Sequence, residues 1–258
     1  MASSMSSESD SMNVITATSD WYRSSATAAA GYDISTGLIG PEYTDAYSLR
    51  LARIEPGVGM PAHASAGNRA YFVIDGEGVV LCAGAERDIS RGSLVKVPCG
   101  VETELRNAGS STLWLFIICD PAPEPRADAG ESLPARQLSQ AEVLSAEAVA
   151  WKAFEAAGVQ GYELKPTIIG DELTHAYSVD LMRVAPGGFS DAHTDQGRHA
   201  FVILEGAGHV TIDGQTFRFQ QGDIVKVPPG SLHELRNHGA DSLVFLTIYD
   251  PPRRRKTS

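Results

Sequence analysis

The chain repeats itself, and this duplication limits its fold more than any other feature. "GYDISTGLIG" from Gly31 is answered by "GYELKPTIIG" from Gly161, and "AYSLRLARIEPG" from Ala46 by "AYSVDLMRVAPG" from Ala176. "GSLVKVPCGVETELRN" from Gly92 is answered by "GDIVKVPPGSLHELRN" from Gly222. Every pair stands 130 positions apart, without a gap from Gly31/Gly161 to Pro121/Pro251, and Trp21/Trp151 extends the register upstream. A period of this length is a whole domain rather than a solenoid repeat, so the chain reads as one unit duplicated and fused.

Each unit reads as β. Stretches such as "AYSVDLMRV", "HAFVILEG" and "SLVFLTIYD" carry β-branched and aromatic residues, with turn signals every eight to twelve positions. Asp213-Gly214 between "HVTI" and "QTFRF" predicts a two-residue hairpin. The junction differs: "PAPEPRADAGESLPARQ" is a Pro/Ala linker, and "SQAEVLSAEAVAWKAF" after it predicts a short helix. The expected layout is a Ser-rich tail over 1–12, an N-terminal barrel over 13–122, the linker over 123–142, a C-terminal barrel over 143–252 and a basic tail over 253–258.

The second unit carries a polar constellation. Gly187 is followed after five residues by His193, then Asp195, His199 and Gly206; downstream come Gly222, Pro228, Gly230, His233 and Asn237. This spacing resembles the two signature motifs of the cupin superfamily. The second motif matches at every position. The first keeps its spacing but reads His-x-Asp with a later His, where the family has His-x-His with a later Glu. The resemblance covers nearly the whole chain outside the tails and linker, in both copies. It implies an all-β bicupin: two tandem jelly-roll (double-stranded β-helix) barrels.

The resemblance also implies that His193, Asp195, His199 and His233 gather in one barrel and hold a divalent transition metal. Residues two apart on a strand share a face, so His193 and Asp195 point together. Three imidazoles and a carboxylate suit Fe, Mn, Co, Ni, Cu or Zn. Asp is shorter than Glu, so Asp195 is either a ligand or a base and orienting group beside the metal. Strand parity adds Phe201, Ile203 and Leu235 to an apolar pocket wall, with Tyr177 as a further lining residue. His175, His209 and His238 fall in or beside turns and read as surface residues, and Glu234 and Arg236 as a structural ion pair pointing away from His233.

The first unit is an internal control. It keeps His63 at the position of His193 but has Ser65 for Asp195, Arg69 for His199 and Thr103 for His233. A guanidinium offers no lone pair to a metal. Gly57, Pro98, Gly100 and Asn107 nevertheless persist, so those positions serve the fold, and the N-terminal barrel is expected to be a metal-free scaffold.

Four protein ligands on a six-coordinate metal leave two positions for substrate. The expected function is therefore a metal-dependent enzyme on a small organic molecule, foremost an oxygenase of the dioxygenase type with Fe(II). The alternatives are a non-redox isomerase, cyclase or lyase with the metal as Lewis acid, and a ligand-binding sensor. A net charge of −11 argues against nucleic acid or an anionic membrane as partner. Three cysteines without CxxC spacing, and no signal-like start, fit the cytoplasm. A homodimer is compatible with the sequence but not required by it.

Overall fold

The computed structural model describes residues 13–15, 31–35, 37–82, 84–120 and 140–253. The predicted tail over 1–12, Trp21, the linker up to residue 139 and the basic tail beyond Arg253 lie outside the described residues.

The chain forms two compact units. The one carrying most of the first repeat includes residues up to Ala150 together with Lys165–Val179 and the stretch from Asp250; the other includes Trp151–Leu164, Asp180–Tyr249 and the leading strand Val14–Ile15. In the first, a sheet runs in the order Glu142–Ser145, Ser93–Val97, Arg69–Asp75, Leu113–Cys119, Ser48–Ile54, Tyr32–Ile34. A second sheet runs Gly59–His63, Thr103–Arg106, Glu77–Cys82, Ala85–Ser90. Neighbours in space are rarely neighbours in sequence, which is the jelly-roll arrangement.

The second repeat reproduces this order, with Val159–Ile169 on Ser178–Thr194 as the counterpart of Tyr32–Ile34 and Lys152–Ala153 paired to it in turn. Its path runs Val14–Ile15, Ile224–Val227, Arg198–Glu205, Leu243–Asp250, Ser178–Thr194, Leu232–Arg236, Ala207–Ile212, Gln215–Gln220. One difference joins the two sheets: Ser178–Thr194 runs unbroken where the first repeat has the separate strands Ser48–Ile54 and Gly59–His63. In each barrel a border strand comes from the leader of the opposite repeat. Val14 and Ile15 pair with Val225 and Ile224, and Glu142–Ser145 pairs with Ser93–Lys96.

Inward-facing alternate residues fill each barrel. Val184, Ile203, Val210, Val225, Leu235, Leu243 and Phe245 form the core of one. Their repeat counterparts Ile54, Val73, Val80, Val95, Leu105, Leu113 and Leu115 form the core of the other. Burial of these side chains drives each fold, at about 1.5–3 kcal/mol per large aliphatic residue before entropy is counted.

The predicted hairpin is present. Ala207–Ile212 pairs with Gln215–Gln220, and both turn residues have positive φ, 48° at Asp213 and 84° at Gly214. That is the type I′ geometry whose twist matches the flanking strands. A Cβ at Gly214 would meet no atom within 4 Å, so only the backbone conformation opposes a side chain there. Gly214→Ala is therefore expected to lower stability by about 1–2 kcal/mol, read as a lower thermal midpoint with an unchanged circular dichroism spectrum.

The junction departs from its predicted helix. Glu142–Ser145 is a strand, followed by one 3-10 turn at Ala146–Ala148 capped by Ser145, whose Oγ accepts from the Glu147 N–H. Helical propensity there yields to an available sheet edge. Glu142 lies opposite Lys96, whose ammonium stands 3.6 Å from the Glu142 carboxylate.

Candidate metal centre

Two strands bring the first pair of imidazoles together. Ser178–Thr194 and Leu232–Arg236 run antiparallel with His193 opposite His233, and a bulge between Ser190 and His193 shifts the register just before that pair. Bulges of this kind re-aim side chains beside sites. The two rings lie 4.3 Å apart. A turn after Asp195 then starts Arg198–Glu205, which places His199 with its ring 5.4 Å from that of His233. The Gly230 N–H donates to the Asp195 carbonyl at 2.7 Å, tying the Pro-x-Gly turn to the loop that carries the carboxylate.

Backbone carbonyls set the direction of the imidazole lone pairs. His193 Nδ1 lies 2.8 Å from the Asp191 carbonyl, and His233 Nδ1 lies 3.0 Å from that of Ser231. A carbonyl only accepts, so in each neutral ring the proton sits on Nδ1 and the Nε2 lone pair is left for a cation. His193, Asp195 and His233 each offer a ligand atom, all within 4.8 Å of one another. His199 Nε2 lies 2.7 Å from Asp195 Oδ2, and His193 Nε2 lies 3.6 Å from the same oxygen. Adjacent ligands on one transition-metal ion stand about 3 Å apart when each bond is about 2.1 Å. The donor types therefore suit such an ion.

Depth divides the cluster. His199 and His233 are buried, whereas the His193 and Asp195 side chains are nearly half exposed at the mouth. Burial lowers the His233 pKa below the ordinary imidazole value; its bond to the Ser231 carbonyl works against this, and the neighbouring His193 and His199 work with it. A neutral ring is the ligand form. Burial alone would raise the Asp195 pKa, but the hydrogen bond and charge of His199, with the charges of His193 and His233, carry it below the usual carboxylate value. Asp195 is thus held as an anion beside the imidazoles.

Of the other predicted residues, Phe201, Ile203 and Leu235 lie in the core of this barrel, the Phe201 ring 6.2 Å from that of His199. Tyr177 is not brought to the site. It is fully buried in the other compact unit, its ring 5.3 Å from that of Tyr47. The reason is packing: Tyr177 falls just before Ser178–Thr194 begins and is held against its own repeat counterpart, Tyr47. Tyr249 was missed instead. It closes over His199 edge-on at 5.0 Å, and its place on the last strand, 50 residues beyond His199, gave no local signal.

The groups read as structural behave so. Arg236 stands 3.5 Å from Glu234, as Arg106 stands 3.3 Å from Glu104 in the first repeat. His209 and His238 contact one another at 4.8 Å, and exposed His175 faces Asp171.

Comparison with known proteins agrees with this architecture. The cupin-domain family profile matches residues 50–119 and 180–249, one match per repeat. The chain belongs to the cupin family, as a bicupin. It is 23% identical over 172 residues to a gentisate 1,2-dioxygenase of a Ralstonia species, a match that covers 62% of this chain and 46% of that protein. A 52-residue stretch is 36% identical to an uncharacterized protein of Methanocaldococcus jannaschii, of which it covers 42%. The chain thus spans under half the length of both curated relatives. Among solved structures, the Lactobacillus farciminis oxalate decarboxylase formate complex is similar with a TM-score of 0.66 at 15% identity, over 87% of this chain and 82% of that one. A cupin 2 conserved barrel domain protein of Leptotrichia buccalis is similar with a TM-score of 0.60 at 15% identity, over 86% and 89% of the two chains. Among the described residues no helix is long and apolar enough to cross a membrane.

Proposed function

We propose that this bicupin is a metal-dependent enzyme acting on a small organic molecule, and that it is an oxygenase of the dioxygenase type with Fe(II) held in the C-terminal barrel. The observation that carries the proposal is the convergence of His193, His233 and Asp195 donor atoms, with His199 on the same carboxylate, in one repeat and, among the described residues, not in the other. His193, His199, His233 and Asp195 are the residues that would hold the metal. When bound, such a metal supplies redox or Lewis-acid activation of a substrate. The gentisate 1,2-dioxygenase relative supports the redox choice.

The chain's own groups have separable tasks. The Asp191 and Ser231 carbonyls hold two imidazoles in one tautomer, so the site needs little rearrangement to bind a cation. Phe201 lies 6.2 Å from the His199 ring and packs on Phe245 at 5.3 Å, so the barrel core continues inward from the cluster. The exposed edge at His193 and Asp195 is where substrate enters, and the Asp195 carboxylate can accept a proton there. That exposed base is the feature favouring the second reading, a non-redox isomerase, cyclase or lyase.

Oxygen uptake separates the two. Protein reconstituted with Fe(II) is expected to consume dioxygen in stoichiometry with loss of one member of a panel of catechols, hydroxybenzoates and diketones. Turnover of a panel member without oxygen uptake would replace the oxygenase with the non-redox enzyme. Saturable binding with no turnover would leave neither and make the barrel a ligand sensor.

A further inference from the structure

Arg69, which takes the place of His199 in the first repeat, is a buried cation with unfilled donors. The residue is 2% exposed. Its Nη2 donates to the carbonyls of His63 at 3.1 Å and Val101 at 3.0 Å, whereas Nε and Nη1 are buried without an acceptor. Among the described residues no carboxylate lies within ion-pair distance of it. A guanidinium does not shed its proton, so this charge cannot be relieved by titration. A buried charge without a counter-charge is costly for a fold to keep, and carbonyl acceptors on one of its nitrogens offset that cost only in part.

A second unfilled donor lies close by. The Tyr71 ring centroid is 5.8 Å from the Arg69 guanidinium carbon, and its hydroxyl is likewise buried without a partner. Burial pushes the Tyr71 phenol far up, so it remains a neutral O–H donor. Buried tyrosine hydroxyls normally find an acceptor.

The side chains around Arg69 changed with it. Thr103 stands where the other barrel has His233, Ser65 where it has Asp195, Cys82 where it has Ile212, and Cys119 where it has Tyr249. These four are smaller than their counterparts, whereas Arg69 and Tyr71 are larger than His199 and Phe201. Cys119 lies opposite Arg69 on the neighbouring strand, where Tyr249 covers His199 at 5.0 Å in the other barrel. Cys82, Cys119 and Val101 pack against the core of this barrel, with Cys82 donating to Thr103 Oγ1 at 3.3 Å. Exposed His63 marks the solvent side.

We infer that the N-terminal barrel is a binding site for a small oxyanion of the carboxylate class, held by Arg69 Nε and Nη1 with the Tyr71 hydroxyl as a further donor. One carboxylate accepts several hydrogen bonds on two oxygens, which matches the donors left over. The barrel exchanged one kind of polar ligand binding for another rather than becoming inert.

The test uses the full-length chain carrying His193→Ala and His233→Ala, so that no response depends on the proposed metal. Its thermal midpoint and the acetate methyl saturation-transfer NMR signal are followed against acetate, nitrate and chloride at constant ionic strength. Acetate is expected to raise the midpoint saturably with a Kd below about 10 mM, nitrate to act less strongly, and chloride least. Arg69→Met in the same background is expected to abolish the saturable response, and Tyr71→Phe to weaken it several-fold. The inference is overturned if acetate gives no saturable response, if chloride matches acetate, or if a folded Arg69→Met chain responds as before. Should Arg69→Met fail to fold, Tyr71→Phe decides, and unchanged acetate affinity there overturns it.

Discussion

The His233→Ala variant is expected to lose most of its bound metal while keeping a folded barrel. His233 is buried, and its Nε2 is left for a cation by the Nδ1 contact with the Ser231 carbonyl, so removing it takes a donor from the centre of the cluster. Losing a group that merely orients a ligand weakens metal binding about 10–100-fold, and loss of the ligand itself should exceed that. The fold should tolerate the change because Thr103 occupies the same buried position opposite His63 in the first repeat. Elemental analysis of protein purified from metal-supplemented medium, with circular dichroism, checks both halves. A variant with full metal content would remove His233 from the ligand set, and an unfolded one would make it a structural histidine.

The opposite outcome is expected for Asn237→Ala. The Asn237 amide donates to the Val184 and Asp241 carbonyls at 2.9 Å each, and its oxygen accepts from the Gly239 N–H at 2.9 Å. Asn107 makes the same three bonds to Ile54, Ser111 and Gly109 in the barrel without the histidine cluster. Neither is a metal donor; each clamps a turn to a strand. Truncating either leaves buried backbone groups unsatisfied at about 1–3 kcal/mol apiece, so about 3 kcal/mol or more should be lost. In a domain of this size that lowers the melting midpoint by about 10 °C or more. Asn237→Ala should still bind metal when folded, and Asn107→Ala should cost a similar amount. A large metal deficit in folded Asn237→Ala would place this residue in the site after all.

The duplication made the sequence unusually readable, because one repeat tests the other. Strand order, hairpin and motif glycines follow from residues that recur at a fixed offset, and the histidine cluster stands out as what does not recur. Gly206 illustrates the first group: its φ is +81°, and a Cβ there would lie 2.8 Å from the Ser242 carbonyl, as one at Gly76 would lie 2.6 Å from that of Thr112. Such a demand reaches the sequence as an invariant glycine.

What escaped the sequence depends on tertiary partners. The Glu142–Ser145 segment has helix-forming composition, and only the open edge beside Ser93–Lys96 makes it a strand. Tyr177 reads as a further lining residue, yet its buried place against Tyr47 is set by packing that no local pattern specifies. Arg69 read as a lost ligand; that two of its nitrogens lack acceptors depends on residues more than 30 positions away.

The crossed border strands have a genetic corollary. Splitting the coding sequence near Asp120 would give two products, each lacking the strip that seals its own sheet and each carrying the strip that seals the other's. Deleting the eroded first copy with its leader would strip Val14 and Ile15, and the Asn13 carbonyl that receives the Lys226 N–H, from the histidine-bearing barrel. Neither half can be removed without unravelling a margin of its sibling.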